Sequence, residues 1–412
     1  MKNLNRWFYA FVGVIVLLLA GLIYAWSTMS KSIGAHTGWD AAQLSTAFTL
    51  AMAFFCIGCL IAGICAGKVN PKCYVLLSGI LFLVGFMLVG FCGESLLFLY
   101  LGFGILGGLG AGFAYNAVMS TISAWFPDKQ GMISGILLMG FGFSAFFVGK
   151  IFAAAAPADG SAVWMSVFRK MGLIIFVIMA ICSVFFVKPD PDAVSGKSST
   201  QKRNGRAPAS DVSAGVMMRS RAFWMYYIWA ILLSAAGLAL VSQASGIATQ
   251  VAGAIGGVDD GSIATVVGLL SICNGIGRIF FGTLFDKKGY RTTMLLDMLL
   301  FLVSAGSLLL AICFNSFFMT VLGFVIGGFA YGGVTPTNSA IISDFFGRTH
   351  YSINFSVVIT NLLIASFAST IAGKLRVITG SYLSTIFLMI GVTIMGFAAF
   401  LAIKRPNTSY TP

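Results

Sequence analysis

The sequence predicts an all-α membrane protein: twelve transmembrane helices in two pseudo-symmetric six-helix bundles. Three observations carry that expectation. The 412 residues are 58% hydrophobic and only 9% charged, with a mean hydropathy of +0.96, whereas a soluble domain holds about a quarter of its residues charged. Apolar runs long enough to cross a bilayer recur twelve times along the chain. The two halves also repeat each other's motifs in order.

The first element is "MKNLNRWFYAFVGVIVLLLAGLIYAWS". A basic start and an apolar stretch resemble a signal peptide, but no convincing small-x-small cleavage site follows. The run of about 20 apolar residues spans a bilayer, so the segment is expected to stay as the first helix. The first six spanning segments are 7–27, 41–66, 73–92, 95–122, 131–156 and 165–187. The other six are 222–250, 261–285, 292–313, 316–342, 351–373 and 380–403. Between them lies "KPDPDAVSGKSSTQKRNGRAPASDVSAGVMMRSR", rich in Pro, Ser, Gly and basic residues. Such a stretch cannot bury an apolar face. The expected organisation is therefore an N-terminal bundle over 1–187, a cytoplasmic linker over 188–221 and a C-terminal bundle over 222–412.

The repeat appears in short matches. "GICAGKVNPK" (63–72) aligns with "GTLFDKKGYR" (282–291), and "GGLGAG…SAWFP" (107–127) with "GGFAYG…SDFFG" (327–347), at offsets of 219 and 220 residues. A parallel duplication of six-helix units is the plan of two-bundle secondary carriers. Charge sets the orientation. Of the 25 Lys and Arg residues, 18 fall on the termini, the linker and the even-numbered loops. The positive-inside bias then places both termini in the cytoplasm of an inner (plasma) membrane protein. The net charge of +13 thus reports orientation across a lipid bilayer, and no nucleic-acid partner is expected.

Arg278 is the exception, the one charge between Gly261 and Phe285. Burying it in a bilayer costs at least a few kcal/mol. It stands eight residues, about 12 Å, from Asp286 and eighteen, about 27 Å, from Asp260. One account is a side chain that snorkels to the inner headgroups. The other is a polar stripe of Ser271, Asn274 and Arg278 at helical spacing facing a water-filled cavity, where the guanidinium fork takes a carboxylate bidentately. Aromatic residues would close such a site against water, and Tyr24, Tyr115 and Tyr331 are the candidates. Tyr331, Thr335 and Asn338 share one helix face. Gln243 is a further candidate on the seventh segment. Lys374 and Lys150 sit at expected outer helix ends, as interfacial anchors or as a vestibule that concentrates anions.

Other chemistries lack their residues. Eight cysteines lie in or beside apolar runs, and the Cys56/Cys59 pair has no partners to complete a metal set. His36 and His350 are expected on opposite sides of the membrane, which leaves no His-based cluster and no enzyme. "GFGILGG" (102–108) matches a dinucleotide fingerprint but has no preceding strand. Its glycines, with Gly104, Gly108 and Gly112 four apart, are expected to let helices approach closely. No cofactor or metal is expected. Of twelve acidic residues, only Asp297 falls inside an expected helix, and no acid accompanies Arg278.

"GTLFDKKGYR" resembles the G-x-L-x-D-[KR]-x-G-[KR]-[KR] signature of the major facilitator superfamily, at its usual place between helices 8 and 9. In the first-half copy Gly67 replaces the Asp and Asn70 the second Gly. "GLIYAWS", "SAWFPDKQGMISGILLMGFG" and the N-x-x-x-R of helix 8 resemble the oxalate/formate antiporter family. The resemblance implies the major facilitator fold, a small carboxylate substrate with a coupled proton or counter-anion, and gating contacts at Asp286 and Arg291. Oxalate-exchanging members carry a second basic residue in helix 11; here the text is "SVVITNLLIAS", with Asn361 at about that place. One buried cation matches one carboxylate, which points to a monocarboxylate such as lactate, pyruvate or formate. An oxalate/formate exchanger remains the alternative. A carboxylate sensor without transport would need an output domain, and a membrane hydrolase would need a paired-Asp or His constellation.

Overall fold

The computed structural model describes residues 5–39, 41–92, 94–157, 159–187, 189, 211–258 and 260–406. Most of the expected linker, residue 188 and residues 190–210, lies outside the described residues. Among the described residues, twelve helices are long and apolar enough to cross a membrane. They are α1 (Arg6–Ala25), α2 (Thr46–Ile64), α3 (Pro71–Cys92), α4 (Leu96–Ser123), α5 (Gln130–Ala155) and α6 (Val163–Ser183). The later six are α7 (Arg221–Ile255), α8 (Gly261–Lys288), α9 (Tyr290–Cys313), α10 (Phe317–Phe345), α11 (Tyr351–Thr379) and α12 (Leu383–Ala402). The protein is an all-α, multi-pass membrane protein, as the apolar runs require. In a bilayer a helix satisfies every backbone group within its own segment.

Helix ends follow local chemistry. The Ser220 hydroxyl accepts the Phe223 amide at 3.1 Å to start α7, and the Ser316 hydroxyl accepts the Met319 amide at 3.4 Å near the start of α10, as N-caps do. After α1, which tightens to a 3₁₀ turn over Gly21–Ala25, the helix runs on through Trp26–Thr37. That is ten residues beyond the apolar run, because polar residues continue a helix as readily once they leave lipid. α11 is interrupted at Thr360, between Tyr351–Ile359 and Asn361–Thr379. The Thr360 hydroxyl is engaged there by Tyr227 at 2.6 Å. On α12, Phe387, Ile394 and Leu401 recur every seven residues and are exposed, a stripe suited to lipid.

The described residues form two compact units. The first takes those of Met1–Asp128, Ile136–Arg206 and Tyr351–Ile359; the second takes those of Lys129–Gly135, Ala207–His350 and Thr360–Pro412. In the first, the glycines of α4 lie against α2. A Cβ on Gly108 would fall 3.0 Å from the Phe54 Cβ, and one on Gly112 2.8 Å from the Cys59 nitrogen. The "GFGILGG" stretch is thus a helix-packing surface, widened to π-type hydrogen bonding over Tyr100–Gly107. In the second unit α10 occupies the middle and packs on α7, α8 and α9.

Candidate functional site

The second unit places the candidate residues Arg278 and Asn274 where α8 crosses α10. Small residues bring the two backbones together. A Cβ on Gly277 would fall 3.0 Å from the Phe329 carbonyl carbon, and one on Gly332 would fall 2.8 Å from the Arg278 nitrogen. Gly135, on the segment 129–135, approaches from another side, where a Cβ would lie 2.8 Å from the Arg278 carbonyl carbon. Arg278 therefore sits at a point where three stretches of backbone converge. It is 4% exposed, and Asn274 is 6% exposed. Arg278 Nε donates to Asn274 Oδ1 at 2.9 Å, a bond across one helical turn that fixes the plane of the guanidinium. Such a side chain is buried within the protein.

In the same unit α7 supplies polar groups that the sequence alone does not single out. Tyr226 donates to Asn338 Oδ1 on α10 at 2.5 Å, and Ser234 donates to Asn361 Oδ1 on α11 at 3.1 Å. With the Tyr227–Thr360 pair they make α7 a spine linking α10 and α11. The available signal was spacing: Tyr227 and Ser234 stand seven apart on one helix face. Tyr331 is buried, and its ring fills a notch on α7 at Gly237, where a Cβ would lie 2.6 Å from Tyr331 Cε2. Asn361 is fully buried. Gln243 Nε2 donates to the Ser242 hydroxyl at 3.4 Å and lies beside Gly373 of α11. Lys374 is exposed and makes no hydrogen bond or ion pair among the described residues.

Asp286 holds the start of α5: its two carboxylate oxygens accept from the backbone N–H of Gly131 at 2.9 Å and of Met132 at 2.8 Å. An anion at a helix N-terminus satisfies groups that would otherwise lack partners and meets the positive end of the helix dipole. Nearby, the Ser134 and Ser339 hydroxyls share a 2.5 Å bond. Arg291 lies against its neighbour Tyr290, with Nε 3.2 Å from the phenol oxygen. In the first unit, Tyr24 and Tyr115 belong to one aromatic cluster. Both meet Phe141 edge-on, at 5.3 and 5.2 Å, and Tyr115 stacks on Phe355 at 5.8 Å. Among the described residues no three His, Cys, Asp or Glu side chains come together as a metal set would need.

The family model described as "Major Facilitator Superfamily" matches residues 7–258 and 247–412. The chain belongs to the major facilitator superfamily. Its members are transporters, and the twelve spans and the lack of strands among the described residues agree with that plan. Among relatives, the chain is 26% identical to the oxalate:formate antiporter of Oxalobacter formigenes, over 85% of this chain and 80% of that protein. It is 24% identical to the uncharacterized MFS-type transporter YhjX of Escherichia coli (strain K12), over 88% and 86%. Monocarboxylate transporter 2 of Rattus norvegicus is 22% identical over 88% and 75%. Solved structures share the fold: a bacterial homologue of the iron transporter ferroportin has a TM-score of 0.71 at 12% identity, over 97% of this chain and 99% of that one. The Escherichia coli fucose:proton symporter FucP has a TM-score of 0.66 at 15% identity, over 97% and 100%.

Proposed function

We propose that this major facilitator protein carries a small monocarboxylate, such as lactate, pyruvate or formate, across the inner membrane by alternating access. Arg278 is its anion ligand. The observation that carries the reading is the buried Arg278–Asn274 pair where α8 meets α10. A guanidinium placed there at a cost of a few kcal/mol is offset when it binds an anion, and Asn274 holds it oriented for a planar carboxylate. Tyr331, Gln243 and Asn361 line the same unit and contribute polar and aromatic surface. Tyr24 and Tyr115 contribute the aromatic wall of the other. Asp286 and Arg291 act in gating, and Lys374 attracts anions to the outer face. The Lys and Arg distribution supports cytoplasmic termini and linker, with the two sequence repeats, 1–187 and 222–412, as the moving bodies.

Asn361 supports a monoacid over oxalate. It is neutral, buried and already engaged by Ser234, so this position adds no second cation. The Oxalobacter relative favours oxalate/formate exchange as the second reading. Counterflow of labelled formate, lactate, pyruvate and oxalate in proteoliposomes separates the two. Uptake of a monoacid and not oxalate is the expected result, and strong oxalate exchange overturns it. Arg278→Lys keeps the charge but loses the fork, and is expected to reduce counterflow tenfold or more.

A further inference from the structure

Asp297 is the one acidic residue deep within a spanning helix that the carrier reading leaves without a task. It lies in the seventh position after Tyr290 on α9, roughly 10 Å along the helix from its start. It is 1% exposed, and neither carboxylate oxygen has a hydrogen-bond partner among the described residues. Buried ionised carboxylates are paired or hydrogen-bonded, and an unpaired one inside a membrane protein marks a functional site.

Its placement ties it to the anion ligand. The carboxyl lies over Gly333 of α10, where a Cβ would stand 2.8 Å from Asp297 Oδ1. The preceding residue, Gly332, is the one against the Arg278 nitrogen. Two consecutive glycines thus bear on the substrate helix and on the acid. Pro336 sits within α10 four residues after Gly332. It cannot donate to the Gly332 carbonyl, which makes this the weakest turn of the helix. On α10 two buried donors have no partner among the described residues: the amide nitrogen of Asn338, whose oxygen Tyr226 holds, and the hydroxyl of Thr335, which at two residues from Gly333 points to the other side of the helix.

The charged surroundings are sparse. From α7, Tyr226 lies within electrostatic range of the carboxyl. α12 carries no titratable side chain. α10 carries Tyr331 and Asp344, and the latter pairs with Arg405 at 3.1 Å. α8 carries Cys273, Arg278 and, at its end, Asp286, Lys287 and Lys288.

We propose that Asp297 carries the proton that accompanies the substrate. In the conformation described here the group is a carboxylic acid over Gly333. A bend of α10 at Pro336 turns the Asn338 amide toward it, and the O–H proton is released to the cytoplasmic side. One proton then moves with one monoanion, and no net charge crosses the membrane. This rests on the monocarboxylate reading above.

The test is Asp297→Asn, nearly isosteric, in proteoliposomes with the acid that wild type exchanges. Counterflow is expected within about twofold of wild type, while uptake driven by a pH gradient falls tenfold or more. Proton influx with substrate, read by a trapped pH dye, is expected to disappear. A variant that keeps gradient-driven uptake, one that loses counterflow equally, or a wild type that moves acid without protons overturns the inference alone. A wild type that moves none of the four acids removes the functional reading, and the role of Asp297 with it. If the Asn variant does not purify as monodisperse protein, Tyr226→Phe decides. Loss of the hydroxyl that holds Asn338 is expected to displace the pH profile of uptake, and a superimposable profile overturns the proposal.

Discussion

The two copies of the signature loop solve the same turn differently. In the second half α8 ends at Lys288 and α9 begins at Tyr290, joined by Gly289 alone at φ 79° and ψ −179°, a conformation that belongs to glycine. In the first half the chain turns over residues 65–70, with the Lys68 amide bonded to the Cys65 carbonyl at 3.1 Å. There Gly67, in the place of the signature Asp, takes the positive φ of 90°. Asn70, in the place of the signature Gly, accepts the Lys72 amide at 3.1 Å and caps α3. The replaced residues are not a decayed signature; they encode a longer turn.

The consequence reaches the next helix. Asp286 holds the start of α5 with two charge-assisted bonds. Gly67 has no side chain to offer the start of α11, and a neutral pair serves instead. Asn116 Nδ2 donates to the Ser352 carbonyl at 3.1 Å, and the Ser352 hydroxyl donates to Asn116 Oδ1 at 2.6 Å. One helix start is held by charge and the other by an amide and a hydroxyl. Hydrogen bonds to a charged group are worth about 1.5–3 kcal/mol, and neutral ones about 0.5–1.5.

Asp286→Ala breaks the comparison at its stronger side. At least a tenfold loss of counterflow is expected, with Asp286→Asn intermediate because the amide oxygen still accepts. A rate within twofold of wild type would show that the charged cap does nothing for transport. Next in size is Gly289→Ala, which forces a Cβ into glycine-only backbone at a cost of about 1–3 kcal/mol, read as a lower thermal midpoint in detergent. Its counterpart Asn70→Gly restores the signature letter but removes only a cap, a few tenths of a kcal/mol by the usual scale. Equal shifts in the two variants would mean that the loops are equivalent after all. Ser352→Ala falls between these two, at about 1 kcal/mol. Larger losses than in Asp286→Ala would reverse the ranking of the two helix starts.

Much of this was legible beforehand, because it depends on local pattern. Twelve apolar runs became twelve helices among the described residues, with ends displaced by as much as ten residues where polar text such as "WSTMSKSIGAHT" prolongs a helix outside the apolar run. Arg278 and Asn274 were found together because a one-turn spacing suffices to make them meet. The contacts at 3.6-residue periodicity within one helix can be counted off; those of Ser234 with Asn361, or of Asp286 with the α5 backbone, join residues more than 120 positions apart. No periodicity reports such a pairing.

Composition and spacing by themselves determined the membrane class, the number of spans, the internal duplication and the one arginine out of place. Each follows from a free energy that adds up locally: transfer of apolar residues, satisfaction of a helix by its own backbone, the cost of one charge. Only the tertiary structure decided which helix Gly332 leans on, that Asp297 lies over Gly333 with no hydrogen-bond partner among the described residues, and that Asn70 caps a helix. Those are set by close approach of distant backbones, where a missing Cβ or a single donor settles the geometry and leaves no mark in the neighbouring residues.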